Sequence, residues 1–469
     1  MPIDLDGNLL VDRDVNLTPD GLGNIDIKTT IFDLDLDYKI SDNWSIHHIS
    51  RYENSTFEGV GASIFRTFSE TVSIPGLVEL RPFRDVTRSL VSRDFERDLF
   101  TARTELKGKF DTGPVSHEAL FGFEYSHGNN INNNRDTSNG LFDQILLRVD
   151  TQNLVIEPNF NFTFEGSDPN STEQNIFALS LFDKITINDS LNVIFGGRLD
   201  FVDLEFGGSS SELDDIDESE FSPTVGINYE FNEQLSVYGV YSEAFTVNAP
   251  DINGNTLDPR KAKNLEAGVR YNIPGTRLTA AASVFDIEET NRATSNPTIS
   301  DPIVESGTFN SKGFDFVLQG QITDNLSVIL NYVYNDTEFT ETSNPLALGS
   351  PEVAIPRNQA SLFLNYDFSP GEDKGLSLNA GIIYVGERID AVPSSLRVDA
   401  LGLNIDIGSS TIQDYIRVDV GARYNFDKHK SISLRIENLF DEEYEINSVG
   451  NTVIPQSPTT AFVTFDWEF

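Results

Sequence analysis

The sequence predicts an all-β fold, an antiparallel transmembrane β-barrel, and three observations support this prediction. Apolar and polar residues alternate with period two along most of the chain, short turns alternate with long polar stretches, and no run approaches the roughly 18 apolar residues of a membrane helix. A barrel strand needs only about 10 residues with every second one apolar. A mean hydropathy of −0.27 is therefore compatible with a chain that lies in a membrane.

Composition narrows the possible functions. The 469 residues carry a net charge of −41, which excludes nucleic-acid binding because phosphates require a basic face. The chain has no cysteine, so disulfides and thiolate metal sites are excluded. No Ser/His/Asp arrangement, paired histidine ligands or phosphate-binding glycine loop stands out, so we expect neither an enzyme nor a cofactor. No linker divides the chain, which favours one large architecture.

The C-terminal residues show the alternation most clearly. Thr464, Asp466 and Glu468 lie on one face of the predicted strand, and the opposite face is apolar, with Ala461, Val463, Phe465, Trp467 and Phe469. A strand that crosses lipid is apolar outside, polar toward the lumen and aromatic where it meets the headgroups. A soluble sandwich can also end in such a strand, so the other segments decide between the two.

The predicted connections alternate in length. Short turns rich in Asn, Asp, Gly and Pro, such as 41–43, separate long polar stretches such as 54–94 and 128–173. Repeated long loops are unusual in a compact soluble domain, whereas a barrel has tight periplasmic turns on one rim and long extracellular loops on the other. Counting hairpins gives about 17 strands, the first at 29–41 and the last at 459–469.

Arginines fall on the predicted lumen-facing side of several strands. We expect them to pair with carboxylates on the same or neighbouring strands, because a hydrated interior accommodates such pairs. The arginines are Arg198, Arg270, Arg417, Arg423 and Arg435, and the expected partners include Asp200, Asp419 and Glu437.

Four fragments within residues 230–469 occur in a characteristic order. They are Asn264–Tyr271, Ser311–Phe316, Tyr384–Arg388 and Asn438–Tyr444, followed by the aromatic terminal strand. In amino-acid sequence, order and spacing they resemble the barrel of TonB-dependent outer-membrane receptors, especially the siderophore receptors. The motif residues that carry the resemblance are Glu266, Gly268, Asn438, Leu439, Phe440, Tyr444, Trp467 and Phe469.

The resemblance implies uptake of a ferric siderophore at the bacterial outer membrane. It also implies contact with outer-membrane lipid and the barrel-assembly machinery, and coupling to TonB through a plug domain. No plug-like sequence occurs in these residues, and the family's barrel has 22 strands. We therefore expect a loop remnant at 1–28 and about 17 of 22 barrel strands within 29–469. An N-terminally truncated fragment of this kind begins at the outer rim, because both its first and last strands descend.

Aromatic residues and arginines in the predicted long loops are candidates for contacting a flat ferric chelate. The alternative is that most are girdle residues or pack the loops together. The candidates are Phe65, Arg66, Phe68, Phe142, Phe160, Phe162, Phe164, Tyr241, Phe245 and Arg260.

An acidic stretch is a candidate Ca²⁺ loop, because hard cations favour carboxylate oxygens. It consists of Asp214, Asp215, Asp217, Glu218 and Glu220. It lacks the ligand spacing of an EF-hand, and a solvated acidic loop is the alternative. His47 and His48 are adjacent, so in a strand they point to opposite faces and do not chelate one metal together.

Two other functions stay open at the level of sequence. One is a passive porin-like channel, and the other is a non-transporting remnant or a structural barrel at the cell surface. The sequence does not identify the siderophore, because selectivity depends on the geometry of the loops and of a plug.

Overall fold

The computed structural model is built from antiparallel strands. It describes residues 25–66, 72–74, 78–80, 85–133, 135–136, 149–154, 165–166, 170–207, 215–248, 250, 255–294, 304–389, 392–398, 403–407, 411–448 and 453–468. The long strands are β1 Ile25–Lys39, β2 Trp44–Arg66, β3 Asp85–Thr112, β4 Val115–Asn132, β5 Asn170–Asn188, β6 Leu191–Gly207, β7 Ile216–Glu230, β8 Leu235–Thr246, β9 Arg260–Asn272, β10 Arg277–Thr294, β11 Val304–Gln321, β12 Leu326–Glu341, β13 Asn358–Asp367, β14 Gly375–Val385, β15 Tyr415–Asp427, β16 Lys430–Glu437 and β17 Thr460–Trp467. These 17 strands confirm the predicted all-β class and strand count. The described residues contain no helix long and apolar enough to cross a membrane.

The sheet is a simple meander. Each long strand pairs antiparallel with the next one along the chain, from β1 with β2 to β16 with β17. Three two-residue strands, Arg135–Asp136, Val149–Asp150 and Glu165–Gly166, complete a 20-stranded sheet. In the described ladders β1 pairs with β2 alone and β17 with β16 alone.

Turn chemistry fixes one rim of the sheet, which we call the short-turn rim. In the turn between β5 and β6, the Asn188 side-chain oxygen accepts hydrogen bonds from the backbone N–H groups of Ser190 (2.9 Å) and Leu191 (3.0 Å). Asn232 does the same for Gln234 and Leu235 between β7 and β8. Asn favours such turns because its side chain imitates a backbone acceptor. The connections at the opposite end, the long-loop rim, are much longer.

The register gives the sheet two chemically different faces. In the β1–β2 ladder Asp33 lies opposite Arg51, and their side chains bond at 2.7 Å, whereas Phe32 lies opposite Tyr52. Directly opposed residues share a face, so polar residues collect on the inner face and apolar residues on the outer face. The apolar face is exposed in the protein alone, as expected where lipid covers it. Trp467 is 55% exposed at the short-turn rim, the position of a girdle residue.

Four of the five predicted inner-face arginines form ion pairs, and Arg270 forms none with another described residue. Arg198 bonds Asp200 at 2.8 Å and also contacts Glu124 of β4 at 3.0 Å. Arg417 bonds Asp419 at 2.8 Å, and Arg435 bonds Glu437 at 2.9 Å. Partners two residues apart on a strand share a face. Arg423 instead contacts Asp466 of β17, at 3.4 Å.

Several strands extend beyond the predicted bounds at the long-loop rim. β2 has 23 residues and β3 has 28, although much of this region was predicted as the loop 54–94. A tilted strand crosses the hydrocarbon core with about 9–11 residues. The remaining length lies outside lipid, where neither face needs to be apolar, and the alternation that reveals a strand disappears.

A buried asparagine ends β16. Asn438 has φ 52° and is 2% exposed. Its backbone N–H donates to Asp419 of β15 at 2.9 Å, and its carbonyl accepts from the Thr459 hydroxyl at 2.6 Å. Its side chain donates to the Glu442 carbonyl at 2.9 Å and accepts from the Glu442 N–H at 2.8 Å. Asn tolerates the left-handed conformation that terminates the strand, so this motif ties the last loop to both neighbouring strands.

Val463→Arg tests the assignment of the outer face. Val463 is 70% exposed and lies four residues, about 13 Å along the strand, from Trp467. Arginine on the lipid face near mid-membrane is expected to lower the free energy of unfolding by about 2–4 kcal/mol. Thr464→Arg, on the inner face, should cost less than about 1 kcal/mol because water is available there. Guanidinium titration of the chain in lipid vesicles measures both values, and equal costs would contradict the assignment.

Asn438→Ala tests the strand-ending motif. Loss of the amide hydrogen bonds together with alanine at positive φ should lower the free energy of unfolding by about 2–4 kcal/mol. Asn438→Gly relieves the backbone strain alone, and should recover about 1 kcal/mol of that loss. Denaturant unfolding in detergent gives both numbers. The interpretation fails if both variants unfold like the original chain.

Candidate functional site

A cavity of about 500 Å³ opens at the long-loop rim between β12 and β15. It lies where the loop after β12 meets the loop after β14. Pockets for small organic ligands typically have volumes of about 300–1,000 Å³. Its lining includes Asn335, Thr337, Ile355, Arg357, Tyr384, Glu387, Arg388 and Asp414.

Hydrogen bonds between the two loops hold the cavity open. The Ala354 N–H donates to the Ile389 carbonyl at 2.9 Å, and the buried Asn344 side chain donates to the Pro393 carbonyl at 2.9 Å. The first loop also folds back on its own strand, since the Gly349 N–H donates to the Phe339 carbonyl at 2.9 Å. A fixed wall lowers the ordering cost of binding a ligand.

A buried arginine anchors the floor of the cavity. Arg388 donates to the carbonyls of Gly386 and Gln413, both at 3.4 Å, and to the Glu445 carbonyl. Its guanidinium lies 5.7 Å from the centre of the Tyr415 ring, which stacks on Tyr444 at 4.2 Å. The arginine therefore joins three segments that are distant in sequence.

Burial shifts the pKa of two groups in the floor of the cavity. Loss of solvent lowers the pKa of the Arg388 guanidinium from its ordinary value and raises the pKa of the Glu445 carboxyl. The attraction between the two groups partly opposes both shifts. This environment favours a structural role, because Arg388 is already bound by carbonyl groups.

Arg357 is the cation most available to a ligand in this cavity. Its side chain is 61% exposed and contacts Asp336 at 2.7 Å, at the mouth of the cavity. An exposed ion pair contributes little to stability, so the guanidinium exchanges partners at low cost. The site thereby offers a planar fork of donors to an oxygen-rich ligand.

A second cluster, which we call the bracing cluster, stabilises the adjacent part of the rim and contains Arg260, Glu289, Arg292 and Glu352. The Arg292 guanidinium lies 5.0 Å from the centre of the Phe309 ring and 5.2 Å from that of Phe339, and it bonds Glu352 at 2.5 Å. Glu289 lies 3.6 Å from both Arg260 and Arg292. Two arginines and two glutamates balance in charge, and the phenyl rings are buried. This cluster fixes β10, β11 and the loop after β12.

The predicted ligand residues are dispersed among these features. Tyr241 lies opposite Val225 and Leu265, which are exposed on the outer face, a position typical of a girdle residue. Phe245 and Arg198 are among the residues that line a cavity of about 610 Å³. Arg260 belongs to the bracing cluster. Phe65 and Arg66 end β2, but their side chains lie outside the described part, as do Phe68, Phe142, Phe160, Phe162 and Phe164.

The acidic stretch becomes partly a strand. Ile216 begins β7, with Asp217 opposite Asp203 and Glu218 opposite Val202, so the two carboxylates point to opposite faces. Asp214 lies outside the described residues. The prediction of two separate faces for His47 and His48 agrees with their contacts, to Asp35 and Thr104 respectively.

The motif residues have structural contacts. The Tyr238 ring lies over Gly268, where a Cβ atom would come within 2.5 Å of it, and the Tyr238 hydroxyl donates to Glu266. The Leu439 N–H donates to the Val418 carbonyl at 2.8 Å, and Tyr444 is buried. Phe440 is exposed, and Phe469 lies outside the described residues.

Arg357, Tyr384 and Arg388 line the rim cavity but were not among the predicted ligand residues. Two of them lay within the quoted fragment Tyr384–Arg388 and were assigned to a strand. The sequence signal was the interruption at Gly386, whose N–H bonds the Asn358 carbonyl as β14 ends.

Known proteins share this architecture. A family model described as TonB dependent receptor-like, beta-barrel, matches residues 3–439. The metal-pseudopaline receptor CntO of Pseudomonas aeruginosa is 26% identical over 454 residues, covering 93% of this chain and 59% of the relative. The ferrichrome outer membrane transporter/phage receptor of Escherichia coli is 26% identical over 434 residues (89% and 55%). The ferrioxamine B receptor of Salmonella typhimurium is 30% identical over 350 residues (72% and 46%).

Solved structures have the same fold. The pyoverdine receptor FpvA of Pseudomonas aeruginosa bound to pyoverdine has a TM-score of 0.75 at 20% identity, covering 100% of this chain and 65% of that one. BauA, the ferric preacinetobactin receptor of Acinetobacter baumannii, has a TM-score of 0.74 at 20% identity (95% and 63%). This chain thus spans 46–59% of the length of the three relatives named above. Because the family model matches most of the chain, the protein belongs to the TonB-dependent receptor-like β-barrels of the bacterial outer membrane.

Proposed function

We propose that the chain forms the barrel wall and extracellular rim for uptake of ferric siderophores, with the rim cavity contacting the chelate. The observation that carries this proposal is the cavity itself, a fixed, polar pocket on the long-loop rim of a barrel in this family. Relatives named as ferrichrome and ferrioxamine B receptors support the substrate class. Coupling to TonB would proceed through a plug domain.

The chemistry of the cavity fits an oxygen-rich chelate. Arg357 can direct several N–H donors at ligand oxygens. The carboxylates Glu387 and Asp414 lie on the same lining and disfavour ligands of high negative charge. The combination favours a neutral or weakly charged ferric complex with exposed oxygen acceptors.

Arg357→Ala tests the role of the cavity. The full chain in detergent micelles is titrated with ⁵⁵Fe-loaded ferrioxamine B. Loss of the guanidinium should weaken binding about ten- to a hundredfold, the effect of one hydrogen bond to a charged donor. A radiolabel is preferable to intrinsic fluorescence, because both tryptophans, Trp44 and Trp467, lie at the short-turn rim.

Arg277→Ala is the matched control. Arg277 is also an exposed arginine paired with an aspartate, Asp324, but it lies at the opposite rim. It should leave affinity unchanged. An equal loss in both variants would assign the effect to general electrostatics. The folded original chain could instead bind no ferric chelate and show a steady large conductance in planar bilayers. That result would contradict uptake by a receptor and favour a passive pore.

A further inference from the structure

Two strands bring a histidine and two aspartates together on the inner face near the short-turn rim. Asp35 and Asp37 share one face of β1, and His47 of β2 lies directly opposite Asp37. One potential ligand atom from each of the three lies within 4.8 Å of the others. Neither Asp35 nor Asp37 belongs to the rim cavity or to the family motif.

The geometry is close to that of a metal site. His47 Nε2 and Asp35 Oδ1 are 3.0 Å apart. Ligands with bonds of about 2.0–2.2 Å to one tetrahedral ion lie about 3.4 Å from each other. Asp37 is exposed and forms no hydrogen bond or ion pair with another described residue, so a side-chain rotation is enough to bring it into place. An imidazole nitrogen with two carboxylates favours zinc or a neighbouring divalent transition metal over Ca²⁺ or Mg²⁺.

A buried carboxylate lies on the Nδ1 side of the His47 ring. Glu105 of β3 is 5% exposed, and its Oε2 lies 3.9 Å from His47 Nδ1. Metal-binding histidines commonly direct their second ring N–H at a carboxylate, which fixes the tautomer and leaves the other nitrogen free for the ion. Glu105 is itself held by Lys107 at 3.0 Å and by Arg103. In the structure Nε2 contacts Asp35, so an ion bound at Nε2 would replace that hydrogen bond, and a small movement would bring Nδ1 within hydrogen-bond distance of Glu105.

Local charge also favours a cation. Asp35, Asp37 and Glu105 supply three negative charges, against two positive charges on Arg103 and Lys107 that are already bound to Glu105. The next arginine along this face, Arg51, is held by Asp33 at 2.7 Å.

We propose that Asp35, Asp37 and His47 bind one divalent transition-metal ion on the inner wall of the barrel, with Glu105 orienting the imidazole. Three protein ligands leave at least one coordination position to water. The ion links β1 to β2, and the site is independent of siderophore binding at the rim. The two aspartates and the histidine are the ligands, and Glu105 is a positioning residue.

Titration of the untagged full chain in detergent micelles with ZnCl₂, followed by calorimetry, tests the proposal. The original chain should bind one zinc ion. His47→Ala and Asp37→Asn should each weaken binding at least about tenfold, because each removes one of three protein ligands. Two control variants should keep a zinc affinity within about twofold of that of the original chain. They are His48→Ala, the neighbour on the opposite face, and Asp33→Asn, one position up the same face. Circular dichroism confirms that each variant retains its strands.

Glu105→Gln tests the positioning role. It should lower zinc affinity about tenfold, while Co²⁺ bound in its place keeps the absorption band of the original chain because the ligands are unchanged. Zinc affinity equal to that of the original chain would refute the role of Glu105. The site itself is refuted if His47→Ala binds zinc as tightly as the original chain, or if His48→Ala weakens zinc binding as much as His47→Ala does. It is also refuted if Ca²⁺ displaces zinc at equal concentration.

Discussion

The structure depends on one constraint: within lipid, the backbone N–H and C=O groups have no water to bond, so each must pair inside the sheet. An antiparallel meander meets this requirement with the shortest connections, and every interior strand from β2 to β16 has a partner on both sides. The same constraint explains the two faces. Once the backbone is satisfied, side chains such as Phe32 on the outer face need only be apolar, while Asp33 and Arg51 on the inner face satisfy each other.

The features that bear on function lie where this constraint no longer applies. Beyond the lipid, at the long-loop rim, the chain can leave the ladder, and loops joined by Ala354 and Asn344 enclose a cavity. Several arginines along the inner face and rim are each paired with a carboxylate, as in Arg198 with Asp200 or Arg292 with Glu352. Two exposed groups are available to a new partner: Arg357 at the rim, whose ion pair is exposed, and Asp37 on the inner face, which has no partner among the described residues. These are the positions to which a ligand and a metal ion are assigned.

Period-two alternation was enough to predict the class, the number of strands and the ion pairs within single strands. It works because side chains two residues apart share a face, so Arg417 and Asp419 can be paired by inspection. Strand ends were less predictable. β2 and β3 continue past their apolar segments, and β16 stops before Asn438, a left-handed residue that ends the ladder.

Contacts between strands were largely beyond prediction from sequence. His47 was considered only against His48, because the register that sets it opposite Asp37 and beside Glu105 depends on how three strands align. The rim cavity likewise requires two loops to meet. Tyr241 and Phe245 were predicted to lie in long loops, yet both belong to β8, where residues four apart share a face.

A nitroxide scan along β15, from Tyr415 to Asp427, tests the central claim most directly. The chain has no cysteine, so single cysteines can be labelled without removing others. In lipid vesicles, accessibility to oxygen should peak at Ile416, Val418 and Val420, and accessibility to a water-soluble nickel complex should peak at Arg417 and Asp419. That alternation would establish a strand with lipid on one face and water on the other. Uniform accessibility, or a period near 3.6 residues, would contradict it.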